Sequence, residues 1–163
     1  MSFFTKTVGL DVRCGEEFAL PKLKGKGVTL YNATGSTMSK GKPFLWEVAS
    51  TTVNKEEQAI APVTSTTIHR IVVVAMEDIP TLKIGKFQFS GLAECLVVET
   101  GNIAADNHLE VLNAGVSFID NGSSLTVNSV GMLKDAVVSG ENSGSPVLKT
   151  VYLRGERIHI AAT

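Results

Sequence analysis

Residues 28–46 read VTLYNATGSTMSKGKPFLW, and the way this stretch is read decides the fold. Val28-Thr29-Leu30-Tyr31 is a β-like run, and Phe44-Leu45-Trp46 is a second apolar run. Between them, Asn32-Ala33-Thr34-Gly35 and Ser39-Lys40-Gly41-Lys42-Pro43 are rich in turn formers. A phosphate loop needs Gly-x-x-x-x-Gly-Lys-Ser/Thr between a strand and a helix, so that backbone N–H groups and the lysine converge on phosphate. Here Pro43 stands where the hydroxyl residue should be, the glycine spacing is one residue too long, and a Phe-Leu-Trp strand follows. The stretch is therefore two turns flanking a strand entry.

The same punctuation recurs along the chain. Short runs of Val, Ile, Thr and Phe are bounded by Gly, Asn, Ser or Pro, the pattern of an all-β protein with tight connections. Strands are expected at 28–31, 44–53, 66–76, 86–90, 92–99, 108–112, 115–119, 123–130, 136–138, 147–154 and 157–161. Asp120-Asn121-Gly122 lies between two such runs, and Asn-Gly suits a type I′ hairpin turn. In the last run Val151 and Leu153 point one way, Tyr152 and Arg154 the other, which implies one buried and one wet face. Residues 51–61 have the best helix composition and 101–112 lean to strand, so at most one short helix is expected. Residues 72–78 (VVVAMED) and 129–135 (SVGMLKD) echo one another, suggesting two similar β units but no solenoid period.

The chain of 163 residues, 44% hydrophobic and 19% charged, suits one globular domain with its own core. Fifteen Lys and Arg against sixteen Asp and Glu give a net charge of -1 and no nucleic-acid signature. Charge is uneven, though: Phe18 to Trp46 carries Lys22, Lys24, Lys26, Lys40 and Lys42 and no acid. That is a solvated face or a surface for an acidic partner. The first 26 residues mix Phe3, Phe4, Val8, Leu10 and Phe18 with Lys6 and other charges without clean alternation. Such a segment reads as an extended arm over 1–26 that packs on something else, ahead of a β domain over 27–163; a terminal strand fits the pattern equally.

Chemistry is hard to place. Cys14 and Cys95 are far apart without Cys-x-x-Cys, so neither a disulfide framework nor zinc is indicated, and Cys95 reads as a small core residue. His69, His108 and His159 lack a companion at metal spacing and read as surface histidines. Glu77 and Asp78 face opposite ways on a strand, so they end it before Pro80 rather than act as an acid–base pair. No Gly-x-Ser-x-Gly elbow exists, and Ser139 to Val147 reads as a mobile hairpin tip. The expectation is no catalytic residue, no metal, no cofactor and no enzyme. The N-terminus lacks a signal-peptide layout, and the longest wholly apolar stretch, Ile71 to Met76, is too short to span a bilayer.

The order of motifs resembles the capsid decoration (cement) proteins of tailed bacteriophages. The residues concerned are Asn32, Thr34, Gly35 and Gly41, then Val74-Ala75-Met76-Glu77-Asp78-Ile79, Gly85, Phe87 and Gly91. Val130 to Ala136 and VLKTVYLRGERI continue the pattern, so that it covers about residues 28 to 158. The resemblance implies a compact β-barrel or β-tulip-like domain with an extended N-terminal arm, made in the bacterial host cytoplasm and carried on the capsid exterior. Its partners would be the major capsid protein and itself, as a homotrimer, with no direct nucleic-acid or membrane contact. Contact with the shell or a neighbour is expected at Phe3, Phe4, Lys6, Val8, Leu10, Lys22, Lys24, Lys26, Lys40 and Lys42. This chain departs from the pattern in lacking a long Pro-rich N-terminus. A carbohydrate- or receptor-binding β module is the alternative; it needs exposed rings, and Trp46, Tyr31 and Tyr152 are scattered.

Overall fold

In the computed structural model, residues 14–48, 57–61, 71–111, 117–126 and 129–155 are described. They form ten strands and one 3-10 turn: β1 (Glu17–Leu20), η1 (Pro21–Leu23), β2 (Gly25–Asn32), β3 (Pro43–Val48), β4 (Glu57–Ile60), β5 (Val72–Ala75), β6 (Ile84–Val97), β7 (His108–Val111), β8 (Phe118–Asp120), β9 (Gly131–Leu133) and β10 (Val147–Arg154). The protein is all-β. A single compact barrel does not form. The strands make one sheet in the order β1-β2-β4-β3-β5-β6-β10-β9-β7-β8, with added pairings β2–β6 and β6–β8. Those two pairings turn the sheet into two circuits that share β6: β2-β4-β3-β5-β6 and β6-β8-β7-β9-β10.

The circuits are two copies of one design. In each, the opening strand meets the closing strand antiparallel: Thr29 opposite Lys86 in the first, Glu94 opposite Thr150 in the second. In each it also meets a short strand in parallel, Asn32 opposite Ala59 and Val97 opposite Phe118. The loop hydrogen bonds repeat as well. Met38 and Ile79 exchange N–H···O bonds of 2.9 and 2.8 Å, as Ile103 and Val137 do at 3.0 Å each. Gly41 N–H donates to Ala75 O at 2.9 Å where Asp106 N–H donates to Leu133 O at 2.7 Å. Met76 N–H reaches Lys86 O at 3.0 Å where Lys134 N–H reaches Thr150 O at 2.8 Å. The echo seen in the sequence is real but lies one residue out of register: Val74, not Ala75, is the counterpart of Met132.

Two apolar cores follow. Val28, Leu30, Phe44, Ala75, Ile79, Phe87 and Phe89 fill the first, with the Phe44 and Phe87 rings edge-on at 6.1 Å. Their counterparts Ala93, Cys95, Leu109, Leu133, Val137, Val151 and Leu153 fill the second. Burying these side chains, roughly 1.5–3 kcal/mol for each Val, Leu, Ile and Phe, is the main stabilising term. β6 serves both units because it bends at Gly91, whose φ is 81°. A Cβ there would sit 2.5 Å from the Gly25 Cα and 2.7 Å from two carbonyl oxygens, so no side chain fits. This is why the runs expected at 86–90 and 92–99 are one strand.

Other expectations change too. The Asn121-Gly122 hairpin does not form. Of the pair only Gly122 has positive φ, at 78°, and β8 pairs with β7 and β6 instead. The Asn121 side chain instead donates to Thr126 Oγ1 at 2.5 Å and Ser129 Oγ at 3.3 Å, folding 121–126 into bends where a strand was expected. Val137 lies in an isolated bridge, and the strand of that region is β9. Glu57–Ile60, expected to be helical, is β4, because it is inserted between β2 and β3. Of the N-terminal 1–26, residues 14–26 are described and are paired: β1 runs antiparallel to β2, which begins at Gly25.

Candidate functional site

The anticipated contact residues fall in three places. Phe3, Phe4, Lys6, Val8 and Leu10 lie outside the described residues. Lys22, Lys24 and Lys26 are all exposed and gather on the β1–β2 connection, Lys24 in the left-handed region at φ 47°. Lys40 and Lys42 sit on the turn before β3. The stretch without acids acquires them through tertiary structure: Lys40 Nζ is 2.6 Å from Glu94 Oε2, and Lys40 N–H donates to Asp78 Oδ1 at 2.8 Å. The ion pair is well exposed, 48% and 63%, so it contributes little stability. Of the five lysines, Lys40 alone lines a cleft of ≈ 400 Å³ between the units, walled also by Leu23, Val74, Gln88, Leu92 and Glu94. Gln88 is buried at 2% and satisfied, its amide donating to Ser90 O and Leu92 O at 2.9 and 2.7 Å.

Glu77, Asp78 and Cys95, named from the sequence, each have a structural role. Glu77 accepts from Lys86 N–H at 3.3 Å while Asp78 holds Lys40, so the two carboxylates cap different backbones. Cys95 is fully buried, and burial, with the Glu94 charge adding to it, pushes its thiol pKa far up and leaves it inert. His69 and His159 lie outside the described residues. His108 is half-buried, with its Nδ1 atom buried and without a hydrogen-bond partner among the described residues. No three of the described His, Cys, Asp and Glu side chains gather as a metal site.

One structural arrangement escaped the sequence. The loop at 139–146 wraps the Glu99 carboxylate, which accepts from Gly140 N–H, from Asn142 N–H at 2.8 Å and from Gly144 N–H at 3.3 Å. These donors, Asn142 first, hold the Glu99 pKa below its ordinary value. The signal was Gly140 and Gly144 in a polar loop, but nothing local names Glu99 as the partner.

The described surface also carries large exposed apolar side chains. Leu82 and Ile84 lie at the start of the first closing strand, while Val138, Leu148 and Tyr152 belong to the second unit.

No family model matches the sequence, and no curated protein matches it. Among solved structures, the fold is similar to the head fiber gp8.5 N base in bacteriophage phi29, with a TM-score of 0.48 and 12% identity over 82% of this chain and 97% of that one. At that TM-score the likeness carries no argument about function.

Proposed function

We propose that this protein is a structural component of a tailed-phage virion, which binds the outer surface of the major capsid protein shell and stabilises the expanded head. The observation behind this reading is where the residues of the resemblance fall. Asn32 is buried, and its amide donates to Ser36 O at 2.8 Å and Ile79 O at 2.9 Å, tying the first turn to the Met38–Ile79 bridge. Val74 and Ala75 belong to β5, Asp78 clamps Lys40, and Gly91 is the joint between the units. These residues all serve the scaffold, as suits a protein that works by rigidity and by surface. Two close-packed cores resist deformation, and the lysines around the β1–β2 connection present positive charge for an acidic shell.

No observation favours the carbohydrate-binding alternative: the cleft between the units has aliphatic and polar walls, without a ring for a sugar to stack on. The protein acts here without catalysis, cofactor, nucleic acid or membrane, on the capsid exterior. The test is to mix purified protein with expanded, undecorated heads and follow co-sedimentation and the temperature of DNA release. Binding with a raised release temperature is expected; absence of binding to expanded heads overturns the reading.

A further inference from the structure

The duplication makes each connection of one unit a control for the same connection of the other. The stretch that leads into the closing strand differs most. In the first unit three residues, Pro80 to Leu82, join the Met38–Ile79 bridge to Lys83. In the second, nine residues, Val138 to Pro146, join the Ile103–Val137 bridge to Val147. Lys83 and Val147 hold equivalent places, three residues before Lys86 and Thr150, which oppose Thr29 and Glu94.

The two connections are fastened by different chemistry. The short one is tied by groups that do not titrate. Leu82 N–H donates to Asn32 O at 3.2 Å, Asn32 N–H donates to Lys83 O at 2.9 Å, and the Asn32 amide donates to Ile79 O at 2.9 Å. The long one is exposed from Val138 to Ser145 and is fastened mainly by carboxylates. Glu99 accepts from Gly140, Asn142 and Gly144 N–H, and Glu141 accepts from Val138 N–H at 3.2 Å. Asn102 Oδ1 adds one neutral bond, from Ser139 N–H at 2.9 Å. Gly140 and Gly144, at φ 84° and 81°, help shape the loop into a concave seat for an anion. At the place of Glu99 in the first unit stands Thr34, whose hydroxyl bonds its own turn, at Asn32 Oδ1 and Ser36 O.

We propose that the 138–146 loop is an acid-released latch: Glu99, on taking up a proton, lets the loop leave the second unit while both cores stay folded. A protonated carboxyl brings a donor of its own to a point where three N–H donors converge, and it loses the charge that strengthens their bonds. Release stays local because the stems of the loop are fixed. Val137 and Val147 are buried, Val137 exchanges two backbone bonds with Ile103, and Val147 opposes Val97. The three bonds also set the direction of the pH effect. They hold the Glu99 pKa below its ordinary 4.5, so the latch is closed at neutral pH and opens as pH falls through the lowered value. The charged groups beside the seat are Glu141 on the loop and Lys149 on β10, which pair at 2.7 Å. The Lys149 bond lowers the Glu141 pKa as well, so the two carboxylates have to be separated by substitution.

The inference is independent of the virion reading, because the latch is observed on the free protein. Heteronuclear NMR spectra of the full chain, taken from about pH 7 to about pH 3, are expected to show the Gly140, Asn142 and Gly144 amide protons moving upfield together with one midpoint. Their heteronuclear NOE values should fall over the same range, while the amides of Met38, Ile79, Ile103 and Val137 stay unchanged. Glu99→Gln keeps one acceptor oxygen but no charge; it should abolish the titration and leave the loop mobile at neutral pH. Glu141→Gln should leave the three amides titrating. Amides that hold their shifts throughout overturn the proposal, as does a titration that survives in Glu99→Gln or disappears in Glu141→Gln. A change in the four bridge amides at the same midpoint also overturns it, since the loop would then open with the fold and not ahead of it.

Discussion

Gly35 and Gly41 both sit at positive φ, 73° and 81°, but only one of them touches anything. A Cβ on Gly35 would have open space, whereas one on Gly41 would lie 2.8 Å from Leu148 Cδ2 and 3.3 Å from Leu96 Cγ. Gly35→Ala should therefore cost about 1 kcal/mol through φ alone, and Gly41→Ala more, because it also pries the first unit's turn off the second. Urea unfolding of the two variants checks the order; equal costs would show that Leu148 simply moves aside. Lys42→Ala should leave the unfolding midpoint unchanged within about 0.5 kcal/mol, and millimolar phosphate should not raise the melting temperature of the wild type, since this stretch is a pair of turns. At Glu99 the sign of the pH effect is set by its lowered pKa. A carboxylate held below its unfolded value stabilises the fold above that value, ordinarily 4.5, and the contribution is lost as pH falls through the lower folded value. Glu99→Gln should thus lower stability at neutral pH and flatten the decline in acid. An identical acid profile in the two proteins would mean that the carboxylate is not held by the loop.

At the scale of elements, the most informative case is β1. Gly15 N–H donates to Thr29 O at 2.5 Å, Thr29 N–H donates to Glu16 O at 3.0 Å, and Phe18 lies over Gly27. This short segment covers an edge of β2 that would otherwise expose unpaired backbone groups. Removing residues 1–13 should leave the thermal transition in place, while removing 1–20 should lower it and promote aggregation. If the longer truncation melts like the full chain, β1 is dispensable. Local pattern located some elements well: the run at 147–154 coincides with β10, where alternation of Val151 and Leu153 against Tyr152 and Arg154 is clean. Pattern failed where tertiary contacts set the backbone. Asn121-Gly122 has hairpin chemistry, but Asn121 binds Thr126 and Ser129, and β8 finds β7. Glu57–Ile60 has helical composition, and its place between β2 and β3 makes it a strand. The lysines of the candidate surface were legible as residues, but the Lys40–Glu94 pair and the cleft they border were not, because Glu94 comes from a distant strand.

For the whole molecule, the tandem design bears on assembly. A protein reinforcing a symmetric shell should form a closed oligomer, a trimer on this reading, either free or on the capsid. Mass photometry of the free protein and a map of the decorated particle decide it, and a monomer in both would sink the expectation. The sequence by itself determined the all-β class, the apolar character of Cys95 and the faces of the well-alternating strands, because a period of two is a local property of the backbone. Tertiary structure alone decided which strand pairs with which, the closing of one sheet into two circuits, and the register of the repeat. Strand pairing is made between residues far apart in the chain, and a buried position accepts any apolar side chain of suitable volume. So the two units keep the same hydrogen bonds, Gly41 to Ala75 and Asp106 to Leu133, while sharing little at the level of residues.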